Sequence, residues 1–192
     1  MNKYYIPKII EKKVEFYLDS SDRFIYSMDL LQNTNVQLIA QYCVGGCFPG
    51  SGKIRLQDGS VRNISQVKKG DKVISFDLNQ GKFKENIIKD KQEHIYFGKY
   101  IIVNDSFIST PNHPIFCLSS NEWIPVNDLK DNDILLTYNG LKARVKNKKK
   151  IFIREFKKVY NLSLKYEPYN YFVDDFLVHS STFIFNSHYY FK

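Results

Sequence analysis

"KIRLQDGSVRNISQVKKGDKVISFD", residues 53–77, and "IFCLSSNEWIPVNDLKDNDILLTYN", residues 115–139, decide the fold together. Set one above the other at an offset of 62 residues (53 to 115), they align without a gap. Leu56 meets Leu118, Lys68 meets Lys130 and Asp71 meets Asp133. Ile64 meets Val126, Val67 meets Leu129, Val73 meets Leu135, Ile74 meets Leu136 and Phe76 meets Tyr138. Three identities can arise by chance, but a shared apolar register along both stretches rarely does. A repeat of this kind predicts two similar β units packed about a pseudo-two-fold axis in an all-β chain.

The rest of the chain agrees with strands. Aromatic residues make up 16% of its 192 residues, and Val, Ile, Tyr and Phe recur in short runs, the composition of pleated, half-buried surfaces. "DLNQGKF" (77–83) and "TYNGLKA" (137–143) put Asn and Gly between apolar runs and predict hairpins. No long stretch has helical periodicity. "NVQLIAQYCVGG" (35–46) predicts one further strand running into a flexible glycine end. Hydrophobic residues at 43% suffice for one core.

Composition excludes several functions. No apolar run approaches the ~18 residues of a membrane span. The start, "MNKYYIPKIIEKKVEF", lacks the apolar stretch and small-residue end of a secretory signal. A soluble protein of a reducing, cytoplasmic compartment is the expectation. The three cysteines, Cys43, Cys47 and Cys117, make no disulfide framework and no CxxC pair. No metal site is called for. The net charge of +8 gathers in "LKARVKNKKKIFIREFKK" (141–158), read as a solvated basic loop rather than a nucleic-acid surface.

The repeat also carries Cys47 onto Ser109 and Ser51 onto His113, so "CFPGS" and "STPNH" fall in equivalent places of the two halves. Packed about a two-fold axis, the two stretches would meet in one cleft. Alone, Cys47 reads as a small buried hydrophobe and His113 as a turn histidine. Together they suit attack by Cys47 on the carbonyl of Gly46, which replaces the amide with a thioester. The departing amine needs a proton, and His113, the side chain type that titrates near neutrality, is the general acid expected. Thr110, three residues earlier, would orient the amide or the oxyanion.

These motifs resemble the Hint domain shared by inteins, bacterial intein-like domains and hedgehog autoprocessing domains. "CFPGSGKIRLQDGS" resembles the amino-terminal splicing block with Cys47 as first residue, and "VKKGDKVISFD" resembles the family's next segment. "STPNHPIF" resembles the TxxH block, which implies Thr110 and His113 as the activating pair. "EWIPVNDLKDNDILL" resembles the strand region after it. "VYNLSLKYEPYNYFVDDFLVH" resembles the carboxy-terminal block, with His179 as the penultimate histidine. The resemblance implies a horseshoe-shaped, pseudo-two-fold β fold over residues 47–180, flanked by 1–46 and 181–192. It implies single-turnover self-processing that needs no cofactor.

Three positions depart from the family pattern. Ser180 stands where a cyclising asparagine is usual, Asn161 where an Asp is usual and Tyr169 where a His is usual. Asn186 lies beyond the expected end and has no histidine before it. Upstream, "VQLIAQYCVGG" resembles the last strand and Gly-Gly tail of a ubiquitin-like protein, and the combination resembles the ciliate fusions of ubiquitin-like and intein-like domains. Three outcomes are open. The thioester is cleaved by water or by an amine (a protein lysine or N-terminus), with the flanking segments acting in cis. Alternatively, Ser181 or Ser180 takes the acyl group in full splicing. Or the domain is a non-catalytic interaction module.

Overall fold

The computed structural model describes residues 46–181, together with three short strands nearer the N-terminus. The chain divides into two compact units, Met1–Ala40 and Gln41–Lys192. In the first, β1 (Lys3–Tyr4), β2 (Phe16–Leu18) and β3 (Phe24–Tyr26) form an antiparallel sheet in that order. The expected strand at 35–46 lies outside the described residues except for Gly46, and so does Asn186.

The second unit is almost wholly β. Its strands are β4 (Phe48–Pro49), β5 (Lys53–Arg55), β6 (Val61–Asn63), β7 (Lys72–Asp77), β8 (Lys82–Tyr96), β9 (Lys99–Val103), β10 (Phe107–Ser109), β11 (Pro114–Cys117) and β12 (Glu122–Pro125). Beyond them come β13 (Ile134–Leu136), β14 (Lys142–Arg144), β15 (Lys148–Phe152), β16 (Lys157–Leu164), β17 (Asn170–Val173) and β18 (Phe176–His179). Among the described residues there is no α-helix, and no helix that is long and apolar enough to cross a membrane. Both expected hairpins form: Asp77 pairs with Lys82 across β7 and β8, and Leu136 with Lys142 across β13 and β14. Gly81 and Gly140 take positive φ at their turns, 63° and 71°, as hairpin tips of this kind require.

The repeat is visible in the packing. Ile64 and Val126, Val67 and Leu129, and Val73 and Leu135 are all buried in the main core. Ile74 and Leu136, with Phe76 and Tyr138, meet in a second, smaller cluster. Equivalent residues of the two halves therefore face the same interior, as a two-fold arrangement demands. Each such side chain contributes about 1.5–3 kcal/mol on burial. The polar turns repeat as well. The Asp71 carboxylate accepts the Lys68 N–H at 2.9 Å, and the Asp133 carboxylate accepts the Lys130 N–H at 2.8 Å. The residue before each Asp is left-handed, Gly70 at φ 93° and Asn132 at φ 72°, a conformation Gly takes freely and Asn tolerates.

The basic stretch 141–158 is not a loop. It supplies β14, β15 and the start of β16. Its runs of lysine hid the strands, because lysine stems can cover strand surface while the ammonium groups stay in water. Lys148 turns inward, its Nζ donating to the Asn127 carbonyl at 2.6 Å and to that of Leu129.

Two pairings position the site. β4 lies along β16, with Phe48 opposite Tyr160 and Pro49 opposite Val159, which brings Gly46 and Cys47 beside Asn161. β11 lies along β18, with Ile115 opposite Val178, which brings His113 toward His179.

Candidate active site

Gly46 and Cys47 are both buried, and Gly46 has φ +80°. A Cβ added to Gly46 would lie 2.2 Å from the Cα of His113 and 2.5 Å from its Cβ. The bare backbone before the cysteine is thus a steric requirement: the peptide rests directly on the TPNH turn. That turn is tied in place by main-chain bonds. Thr110 N–H donates to the Cys47 carbonyl at 2.9 Å, and Val126 N–H to the His113 carbonyl at 3.0 Å.

Both polar atoms of the Gly46–Cys47 peptide have side-chain partners. The Cys47 N–H donates to Thr110 Oγ1 at 2.7 Å. The Gly46 carbonyl accepts from Asn161 Nδ2 at 2.9 Å. Asn161 Oδ1 in turn accepts from its neighbour Leu162 N–H at 2.8 Å and from the Tyr171 hydroxyl at 2.9 Å. Sequence reading named Asn161 only as a departure and missed Tyr171, which lies on β17 and reaches across the core.

His113 is fully buried, and neither ring nitrogen makes a hydrogen bond of ordinary geometry. Phe48 packs on its ring at 4.1 Å between centroids, tilted by 56°. Burial pushes its pKa down to about 3; contact with the Gly46 backbone works against this, and the charge of nearby His179 adds to it. The expectation of a histidine that titrates near neutrality is therefore corrected. Desolvation keeps His113 a neutral imidazole, with one nitrogen able to take a proton and the other to give one.

Cys47 also departs from expectation: it is disulfide-bonded in the structure, whereas the sequence reading expected a free thiol. Of the other cysteines, Cys117 is free and buried, and Cys43 lies outside the described residues. An S–S bond asks only for Cα atoms within about 7 Å, which neither the number nor the spacing of cysteines along the chain reveals.

At the carboxy-terminal end of the domain, His179 Nδ1 lies 3.1 Å from the Ser180 carbonyl, and its ring meets Trp123 edge-on at 4.9 Å. Burial lowers its pKa as well. Ser180 is buried, with its N–H on the Tyr169 carbonyl at 2.8 Å. Tyr169 itself packs on the main core rather than on the Gly46 carbonyl. Ser181 N–H donates to the Leu162 carbonyl at 2.9 Å, and its buried hydroxyl has no hydrogen-bond partner.

The family model of the pretoxin HINT domain matches residues 54–186. The chain belongs to that family. Among solved structures, this Hint domain is similar to the bacterial intein-like domain from Clostridium thermocellum, at TM-score 0.63 and 23% identity, over 70% of this chain and 98% of that one. It is similar to the DnaB intein from Synechocystis sp. PCC 6803 at TM-score 0.58 and 15% identity, over 71% and 99%. It is similar to the gp41-1 intein at TM-score 0.56 and 16% identity, over 71% and 99%. At these identities the likeness is one of fold. No curated protein matches the chain.

Proposed function

We propose that this Hint domain cuts its own backbone between Gly46 and Cys47. Residues 1–46 are the segment released or transferred, 47–180 the machinery and 181–192 a trailing segment. The observation that carries the reading is the double hold on one buried peptide bond. Thr110 takes its N–H at 2.7 Å, and His113 packs where a side chain at residue 46 would stand. Distant side chains also hold structural amides here, as Asn170 holds the Phe76 N–H; what sets this peptide apart is that a buried imidazole packs against it as well.

The step balances as an isomerisation. Once reduced, the Cys47 thiol gives its proton to neutral His113 and attacks the Gly46 carbonyl carbon. A tetrahedral intermediate forms, with negative charge on the former carbonyl oxygen. Thr110 holds the amide plane, so that the nitrogen's developing lone pair receives the proton from His113 as the C–N bond breaks. The products are a Gly46–Cys47 thioester and a free Cys47 amine. Water then yields a Gly46 carboxylate, or an amine yields a new amide; either returns the Cys47 thiol. Gly46 offers no side chain to shield the carbonyl from that second attack.

A second reading rests on Ser181. Its orphaned hydroxyl and its bond to Leu162, next to Asn161 on β16, support transfer of the acyl group to oxygen. Ser180 has no side-chain amide to cyclise, so this route would stop at the ester.

The test is mass spectrometry of the full chain after reduction, with and without hydroxylamine. Fragments 1–46 and 47–192, with hydroxamate on Gly46 when hydroxylamine is present, support thioester formation. An alkali-labile ester at Ser181 supports the second reading. An intact chain, or equal cleavage by Cys47→Ala, overturns the proposal.

A further inference from the structure

Asn161 sits in the middle of β16, whose main chain is already paired to β8 with Asn161 opposite Gln92. Its side chain is surplus to the strand and is 2% exposed. All of its hydrogen bonds converge on one purpose. Oδ1 is occupied by two donors, the Leu162 N–H at 2.8 Å and the Tyr171 hydroxyl at 2.9 Å. With Oδ1 so held, the amide has one orientation, and Nδ2 must face the Gly46 carbonyl, 2.9 Å away.

We infer that Asn161 is the oxyanion donor of the Gly46–Cys47 acyl shift, and that Tyr171 is the positioning residue that keeps its amide aimed. The inference rests on the proposed cleavage at that bond. When sulfur adds to the Gly46 carbonyl carbon, the π pair moves to oxygen, and the charge develops on the atom Asn161 already touches. A fixed amide N–H in a dry site stabilises that charge without reorganising. An acid at this position, usual in the family pattern, would place a like charge there.

Tyr171 suits the positioning role because it is fully buried, and burial raises its pKa so that it stays a hydroxyl donor at every working pH. Without it, Oδ1 keeps only the Leu162 N–H, and the amide can turn away.

The experiment measures the rate of cleavage after Gly46 in the reduced full chain. Removing one such donor costs about 100- to 1,000-fold, so Asn161→Ala should slow cleavage by that factor. Asn161→Asp should be equally slow at pH 7.5 and recover as the pH falls, because a protonated carboxyl donates where a carboxylate cannot. A merely structural role gives no such pH-dependent recovery, and the Asp variant keeps the test valid if the Ala variant fails to fold. Tyr171→Phe should slow the wild type about tenfold, the loss of one aligned hydrogen bond, yet cost nothing further in the Asn161→Ala background. Wild-type cleavage matched by undiminished cleavage in Asn161→Ala, an Asp variant whose rate does not rise in acid, or additive Tyr171→Phe losses would each overturn this inference and leave the cleavage reading standing. A wild-type chain that never cleaves removes both.

Discussion

Gly46 and His113 are in backbone-to-backbone contact: the absent Cβ of one would stand 2.2 Å from the Cα of the other. Neither side can give way, because His113 is pinned through its carbonyl to Val126 N–H and its ring lies under Phe48. Gly46→Ala therefore meets both the overlap and the left-handed φ of 80°, together about 3 kcal/mol. The peptide escapes by shifting off Thr110 and Asn161, so cleavage should fall about 100-fold or more. Gly59→Ala is the control, with φ 83° and nothing within 4 Å of the added Cβ; it should cost only about 1 kcal/mol. Equal effects of the two changes on cleavage rate would contradict the steric account.

Thr110→Val keeps the shape and removes the acceptor. The buried Cys47 N–H then has no side-chain partner, a loss of about 1–3 kcal/mol. Cleavage should slow about 10- to 100-fold, while the circular dichroism spectrum stays that of the wild type. Thr110→Ser should restore most of the rate. A Val variant that cleaves normally would show that the hydrogen bond is only structural.

Neutral His113 has a consequence for stability. In the unfolded chain its imidazole binds a proton near pH 6.5, but in the folded chain only near pH 3, because burial excludes the charge. Between those values the unfolded state holds more protons, so stability rises with pH across that window. It is complete above about pH 6.5 and lost as the pH falls toward 3. His179 shifts in the same direction. Asp174, raised to about 6 by burial, works the other way. The comparison is thus between wild type and His113→Gln. The urea midpoint of the wild type should drop more steeply from pH 6.5 to 4 than that of the variant, and parallel profiles would rule out the buried neutral state.

A sulfur already in a disulfide cannot act as the nucleophile. Cys47 is so bonded, so the oxidised full chain should stay intact for hours at neutral pH and begin to cleave when a reductant is added. Gel shifts under non-reducing conditions, followed by mass spectrometry, check this. Prompt cleavage of the oxidised chain would exclude Cys47 as the attacking group.

The site was unevenly legible in the sequence. His113 was a candidate through its turn and the repeat, and Thr110 through its place three residues earlier and the TxxH resemblance, because all of these are patterns within the sequence. Asn161 was noticed only as a mismatch, and Tyr171 and Phe48 were not noticed at all. Their roles depend on β4 lying against β16 and on the Tyr171 hydroxyl of β17 reaching Asn161. No spacing along the chain encodes a contact between residues 115 positions apart, such as Asn161 and Gly46.

The sequence by itself determined the two-fold β architecture, since an apolar register repeated 62 residues on must bury equivalent side chains against one interior. It also placed the hairpins at 77–83 and 137–143 and showed which thiol stood behind two glycines. Tertiary structure alone decided the protonation state of His113, the reason Gly46 must be bare and the partner of its carbonyl. Those depend on desolvation, steric overlap and hydrogen-bond direction, which exist only once distant strands have closed around the peptide bond.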